Sequence, residues 1–188
     1  MCIRDRNFIL QNEKTKAVEF LSRFARLVRH NLNASVQGEV SLEEEISLLD
    51  NYLALEQERF NHQFDYDIQV DKELEESFIE FPPMLIQPYV ENAVIHGIGQ
   101  KTEQGKIKIR FSKNANELLV IIRDNGHGYR KEDIAQKNPR HKSVGMTITQ
   151  KRLELLGERP DDIVQIETIK DKKGSIKGTK VQVRIKIK

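Results

Sequence analysis

The chain has 188 residues, 38% of them apolar and 32% charged, enough to bury a core and too apolar for a disordered tail. Lysine and arginine number 31 against 29 aspartates and glutamates, and the resulting net charge of +2 speaks against a nucleic-acid partner. A single cysteine, Cys2, excludes a disulfide scaffold and a multi-cysteine zinc site.

Residues 1–6, MCIRDR, are polar and aperiodic and abut a helical pattern without a cap. They read as a scar or a sequence-assembly junction and are set aside. They hold no apolar signal core, and no later run approaches the roughly 18 apolar residues of a membrane helix. A reducing, cytoplasmic setting is the expectation. From Phe8 to about Leu32, Ala17, Phe20, Phe24, Leu27 and Val28 recur at helical spacing among charges. A helix this long at a chain end is expected to pack on a partner as well as on its own domain. After a polar break at Asn31–Gly38, Ser41-Leu-Glu-Glu44 forms a capping box. Leu42, Ile46, Leu49, Tyr52 and Leu53 carry the stripe to about Glu58. The two helices predict an antiparallel hairpin over residues 7–60.

Beyond Phe60 the period becomes two. Phe64, Tyr66, Ile68 and Val70 alternate with polar residues and predict a strand. Pro82-Pro83 predicts the start of a helix from Met84 to His96, with Pro88 in its interior at a cost of about 3 kcal/mol. Strands follow at Gly105–Phe111 and Glu117–Arg123, then a basic loop at Tyr129–Ser143 and a helix at Met146–Leu156. Asp162–Thr168 and Thr179–Ile187 close the chain as a hairpin, with Val181, Val183, Ile185 and Ile187 facing in. The fold class is α+β: an N-terminal helical hairpin, then a two-layer α/β sandwich over residues 61–188, its mixed sheet covered on one face by helices 84–96 and 146–156.

Three segments carry chemistry. In PPMLIQPYVENAVIHG, Asn92 lies four residues after Pro88 on the same apolar face, so its amide needs a partner. It is either a satisfied core asparagine or an oxygen ligand for a hard cation such as Mg2+. Asp124-Asn-Gly-His-Gly128 is either a hairpin turn or a loop whose glycines let backbone approach a flat ligand, with Asp124 able to accept from an exocyclic amine. The residues after it do not alternate, so the hairpin lacks a second arm. Ser143-Val-Gly145 opens a helix and follows Lys137, Arg140, His141 and Lys142, which makes it either a generic turn or an anion site.

In order and setting, these segments and the final GTxVxV strand resemble the ATP-binding domain of the GHKL superfamily. QPYVENAVIHGI and SLEEEISLLDNYLALEQERF are similar to the signature stretches of LytS-type sensor histidine kinases, and the resemblance spans Asn7 to Lys188. It implies a Bergerat-type sandwich that binds ATP with Mg2+. Asn92 would hold the Mg2+, and Asp124 would bond the adenine amino group in a slot shaped by Gly126 and Gly128. His96 would line the site and Thr179 would sit beside Asp124. Residues 129–142 would form a lid with Lys142 among its cations, and Gly145 would lie under the phosphates. Glu91 would act as a base toward an acceptor histidine or as a salt-bridge partner.

The family activity this implies is transfer of the γ-phosphoryl to a histidine and onward to a response regulator aspartate, in a homodimer joined through the N-terminal helices. Membrane attachment would come only through a sensor region upstream. The chain departs from the family pattern in three places. Ile95 stands where the family has lysine, Gly145 is alone where a glycine pair is usual, and no N-P-H-F-x-F-N acceptor motif is present. His30, His62, His96, His127 and His141 all lie in other contexts, so no phosphoacceptor is expected in the chain. The alternative reading is a non-catalytic dimeric nucleotide-binding or interaction module. A gyrase-like clamp or a serine kinase of the same superfamily is a further one.

Overall fold

The computed structural model describes residues 39–75, 78–81, 83–98, 104–114, 116–129 and 159–187, together with 18, 21–23, 25, 29, 149, 151, 153 and 154. Residues 18, 21–23, 25 and 29 are helical, in keeping with the Phe8–Leu32 periodicity. The MCIRDR segment, the polar break and the geometry of the expected hairpin lie outside the described residues.

The elements in order are β1 (Val40–Ser41), α1 (Leu42–Arg59), β2 (Phe64–Val70), α2 (Lys72–Glu75), β3 (Glu80–Phe81) and α3 (Gln87–Asn92). A π-helical stretch, Ala93–Ile98, continues α3. Then come β4 (Gly105–Asn114), β5 (Glu117–Asp124), α4 (Pro160–Ile163), β6 (Val164–Lys170) and β7 (Ile176–Lys186). The capping box forms as predicted: Glu44 N–H donates to Ser41 Oγ at 3.2 Å, and Ser41 N–H donates to Glu44 Oε2 at 3.0 Å. α1 ends where Asn61 and His62 turn left-handed, at φ of 52° and 55°, which places His62 in the expected turn.

Five strands form one sheet in the order β2-β4-β5-β7-β6. β2 and β4 run parallel and the other pairs are antiparallel. The alternation read from sequence decides which face is buried. Phe64, Ile107, Ile109, Phe111, Leu118, Val120, Ile122, Val181 and Val183 point to one side, where Leu49 and Leu53 of α1 and Ile86, Tyr89, Val90 and Val94 around α3 meet them. Leu153 from the later helix joins the same cluster. Thus α1, expected to belong with the N-terminal helices, shares its core with the sandwich.

Three elements start elsewhere than expected. The helix predicted from Met84 begins only at Gln87, because Met84 is left-handed at φ 59° and breaks the run. Pro88 therefore falls in the first turn, where its missing N–H is needed by no intrahelical bond, and the interior penalty does not arise. The closing hairpin is longer and tighter than predicted. Asp171 Oδ1 accepts from the amides of Lys173 and Ser175, each at 2.9 Å, so β7 starts at Ile176 and not at Thr179. Asp162 and Ile163 belong to the helical turn α4, opened by Pro160, and not to β6.

Candidate functional site

β5 delivers Asp124 to the end of the covered face, buried at 7% exposure. Its register partner is Thr179 of β7, which in turn pairs with Thr168 of β6. A polar row thus crosses three strands at the rim of an otherwise apolar face. Asp124 Oδ1 accepts from Gly126 N–H at 2.8 Å and Thr179 N–H at 3.2 Å. These bonds fix the carboxylate in one orientation.

The segment after Asp124 is not a two-residue hairpin, since β5 pairs next with β7 and not with a strand that follows it. Asn125 instead stitches the loop to the start of β4: its Oδ1 accepts from Lys106 N–H at 2.8 Å and its Nδ2 donates to the Gln104 carbonyl at 3.2 Å. Gly126 lies against the end of the π-helical stretch, and a Cβ there would enter the Gly97 carbonyl. Gly128 has φ +81°, and a Cβ would come within 2.7 Å of Ile176 Cγ2 and 2.8 Å of Thr168 Cγ2. Both glycines are therefore needed for backbone packing around the slot. Gly97 itself touches the acid: a Cβ there would lie 3.1 Å from Asp124 Oδ1. Sequence reasoning missed Gly97, though it follows the histidine of the same helical signature.

On α3, Asn92 and Pro88 share a face as the spacing predicts. Asn92 Nδ2 donates to the Pro88 carbonyl at 2.7 Å, which sets the amide with its oxygen on the side away from the helix backbone. Helical turns widen immediately afterwards, a feature common at functional sites. Glu91, one position away, points elsewhere. Its carboxylate accepts from Gln87 Nε2 at 2.9 Å, and burial pushes its pKa up. Glu56 of α1 is likewise raised by burial, and the charge of Glu91 adds to that shift. Ile95, the departure from the family pattern, is 43% exposed.

The start of the basic loop is held by Thr168, another residue the sequence did not single out. Its hydroxyl accepts from Tyr129 N–H at 3.0 Å and donates to the Tyr129 carbonyl at 2.6 Å. Tyr89 lies near Tyr129, and burial lifts its phenol to about 12. His96 sits in the π-helical stretch and its side chain lies outside the described residues, as do Lys142, Gly145 and the rest of residues 130–148. The structure therefore brings together Asp124, Gly126, Gly128 and Thr179, with Gly97 joining them to the helix that carries Asn92.

Among the described residues no group of three or more His, Cys, Asp or Glu is arranged to hold a metal. With its Nδ2 engaged by the Pro88 carbonyl, Asn92 has its amide oxygen as the hard donor of the kind that Mg2+ accepts alongside phosphate oxygens and waters.

Two families match the chain: one described as "Histidine kinase" over residues 5–64, and one described as "Histidine kinase-, DNA gyrase B-, and HSP90-like ATPase" over residues 82–188. Sensor protein LytS of Oceanobacillus iheyensis is 32% identical over 159 residues, covering 80% of this chain and 27% of that protein. Sensor protein LytS of Staphylococcus saprophyticus is 30% identical over 179 residues, covering 94% and 29%. The chain thus spans less than a third of these relatives. Among solved structures, the histidine kinase domain of the Erythrobacter litoralis EL346 blue-light activated kinase superposes with a TM-score of 0.55 at 14% identity, over 98% of this chain and 88% of that one. The catalytic domain of histidine kinase ThkA gives 0.52 at 21% identity, over 79% and 94%. These structural likenesses establish the fold, and the sensor-protein relatives do not favour the non-catalytic module.

Proposed function

This chain belongs to the histidine kinase-, DNA gyrase B- and HSP90-like ATPase family, and from that premise we propose that it is the ATP-binding and phosphoryl-transferring part of a LytS-type sensor histidine kinase. The observation that carries the reading is the buried Asp124 carboxylate, fixed by the Gly126 and Thr179 amides beside two packing-constrained glycines. A buried carboxylate at the mouth of an apolar sheet face suits a group that presents one amine on a flat ring. Adenine has that form.

Asn92 would hold Mg2+, which supplies charge neutralisation at the phosphates when bound. Lys142, Gly145 and His96 would contact the same nucleotide, and Glu91 would receive the proton of an acceptor histidine. Phosphoryl transfer asks the protein for in-line placement and charge stabilisation, and little covalent chemistry. The histidine, supplied from a helix outside these residues, would pass the group to an aspartate of a response regulator receiver domain. A solved complex of ThkA with response regulator TrrA, similar to this chain at a TM-score of 0.52 and 21% identity over 95% of this chain, is consistent with such a partner. Homodimerisation through the N-terminal helices belongs to the same reading. Val18 and Leu21, 63% and 55% exposed on helical residues there, support it. No described helix is long and apolar enough to cross a membrane. Attachment of a longer parent protein to a membrane is part of the proposal.

The test adds ATP labelled on its γ-phosphate to the chain and to a separate helical polypeptide carrying the histidine motif. Label on that histidine, lost by at least about 100-fold in Asn92→Ala, is the expected result. Undiminished transfer in Asn92→Ala would remove Asn92 from its assigned place.

A further inference from the structure

Gln87 opens α3 and is 3% exposed, so its amide sits in the core. A primary amide carries two N–H donors and an acceptor oxygen, all of which need partners when buried. Gln87 meets this demand only in part. Its Nε2 donates to Glu91 Oε1 at 2.9 Å, one helical turn on, while its Oε1 is buried with no partner among the described residues. An orphaned acceptor is costly, and a methionine would fill the same space without that cost. Stability alone therefore gives no reason for an amide at this position; the bond to Glu91 does.

That bond acts on the carboxylate in two ways. It occupies Oε1 and so fixes the plane of the group, which leaves Oε2 to meet a donor. It also favours the ionised form and opposes the burial that pushes the Glu91 pKa up. From α1, Tyr52 and Glu56 face the same group, and the charge of Glu91 raises the pKa of both. Arg59 is engaged with Glu56. On the next position of α3, Asn92 is braced at the same spacing, with Nδ2 donating to the Pro88 carbonyl. Two crossed bonds thus hold consecutive residues of the helical signature.

We propose that Gln87 is a positioning residue that holds the Glu91 carboxylate oriented to accept a proton. In the transfer described above, an imidazole nitrogen bonds to the γ-phosphorus as the bond to the bridging oxygen breaks. ADP leaves with that electron pair, and the proton on the other ring nitrogen passes to Glu91. The source of the proton rests on the function proposed above; the hold on Glu91 does not.

Gln87→Met keeps length and bulk and removes the donor, and Glu91→Gln removes the base. In the full chain without nucleotide, the side-chain carboxyl carbon resonance of Glu91, followed by NMR against pH, reads the hold directly. It should titrate at higher pH in Gln87→Met than in wild type. Titration at an equal or lower pH in a folded Gln87→Met would overturn the proposal. With labelled ATP and the separate histidine helix, transfer near neutral pH should fall about tenfold or more in Gln87→Met. The deficit should narrow as pH rises, and MgATP affinity should stay within about twofold. Added to Glu91→Gln, Gln87→Met should cost less than about twofold more. An equal loss in both backgrounds, or a loss of affinity that matches the loss of transfer, would overturn the positioning role. A wild-type chain that transfers nothing would instead overturn the functional reading, with the hold on Glu91 still decided by the titration.

Discussion

Gly126 has no side chain because the Gly97 carbonyl occupies the space that one would fill. The Gly126→Ala chain must move either the Asp124 loop or the end of the π-helical stretch. It should be destabilised by about 2–4 kcal/mol in urea unfolding, well beyond an ordinary surface change. A loss below about 0.5 kcal/mol would mean that the two backbones are not in contact. Ile95 makes the opposite case, being exposed at 43% and free to change. Ile95→Lys should tighten ATP binding by about five- to tenfold in calorimetry, because a lysine there restores a charged hydrogen bond to phosphate. At this scale Asp124 was legible because it heads a glycine-rich segment at a strand end that no second hairpin arm follows, and Thr179 was legible only through the family resemblance. Thr168 and Glu45 were not. A threonine in a strand and a glutamate in the first turn of a helix look like ordinary solvent-facing choices until tertiary packing covers them.

Among the elements, the α1–α3 interface concentrates carboxyls that burial disturbs. Glu45 is raised from 4.5 to about 7, and Glu56 and Glu91 are raised as well, all chiefly by burial. Each therefore binds its proton more tightly folded than unfolded. Their contribution to stability is fully present below the unfolded carboxylate pKa near 4.5 and is lost as pH rises through the folded values. Stability should fall between about pH 4.5 and 7, with Glu45 alone accounting for a loss on the order of 3 kcal/mol. Denaturant melts across that range in wild type and Glu45→Gln check this, and the variant should show the flatter profile. A wild-type profile that rises with pH would contradict it. α1 itself was readable because its capping box and 3.6-residue stripe agree. The register of α3 was misread because a left-handed methionine and a proline tolerated in the first turn leave no periodic mark. The π-helical turns leave none either.

Over the whole molecule, the parallel β2–β4 pair and the antiparallel remainder build a single covered face, and the site forms where that face meets α3 and the loop after β5. The α+β layering was legible because strand alternation and helix stripes are set by burial on one side only. Strand order was not, since pairing between β5 and β7 depends on contacts more than fifty residues apart. The proposed homodimer predicts dimer mass in light scattering at high micromolar concentration, and a monomer there would remove it. Nucleotide binding at Asp124 is the claim on which the rest depends. Its direct test is a thermal melt with and without saturating MgATP, on wild type and on Asp124→Asn. Ligand at about 100 times its dissociation constant adds about 2.7 kcal/mol, which for a chain of this size raises the midpoint by roughly 5–10 °C. That rise in wild type, absent in Asp124→Asn, is the predicted result; an equal rise in both proteins, or none in wild type, would contradict it.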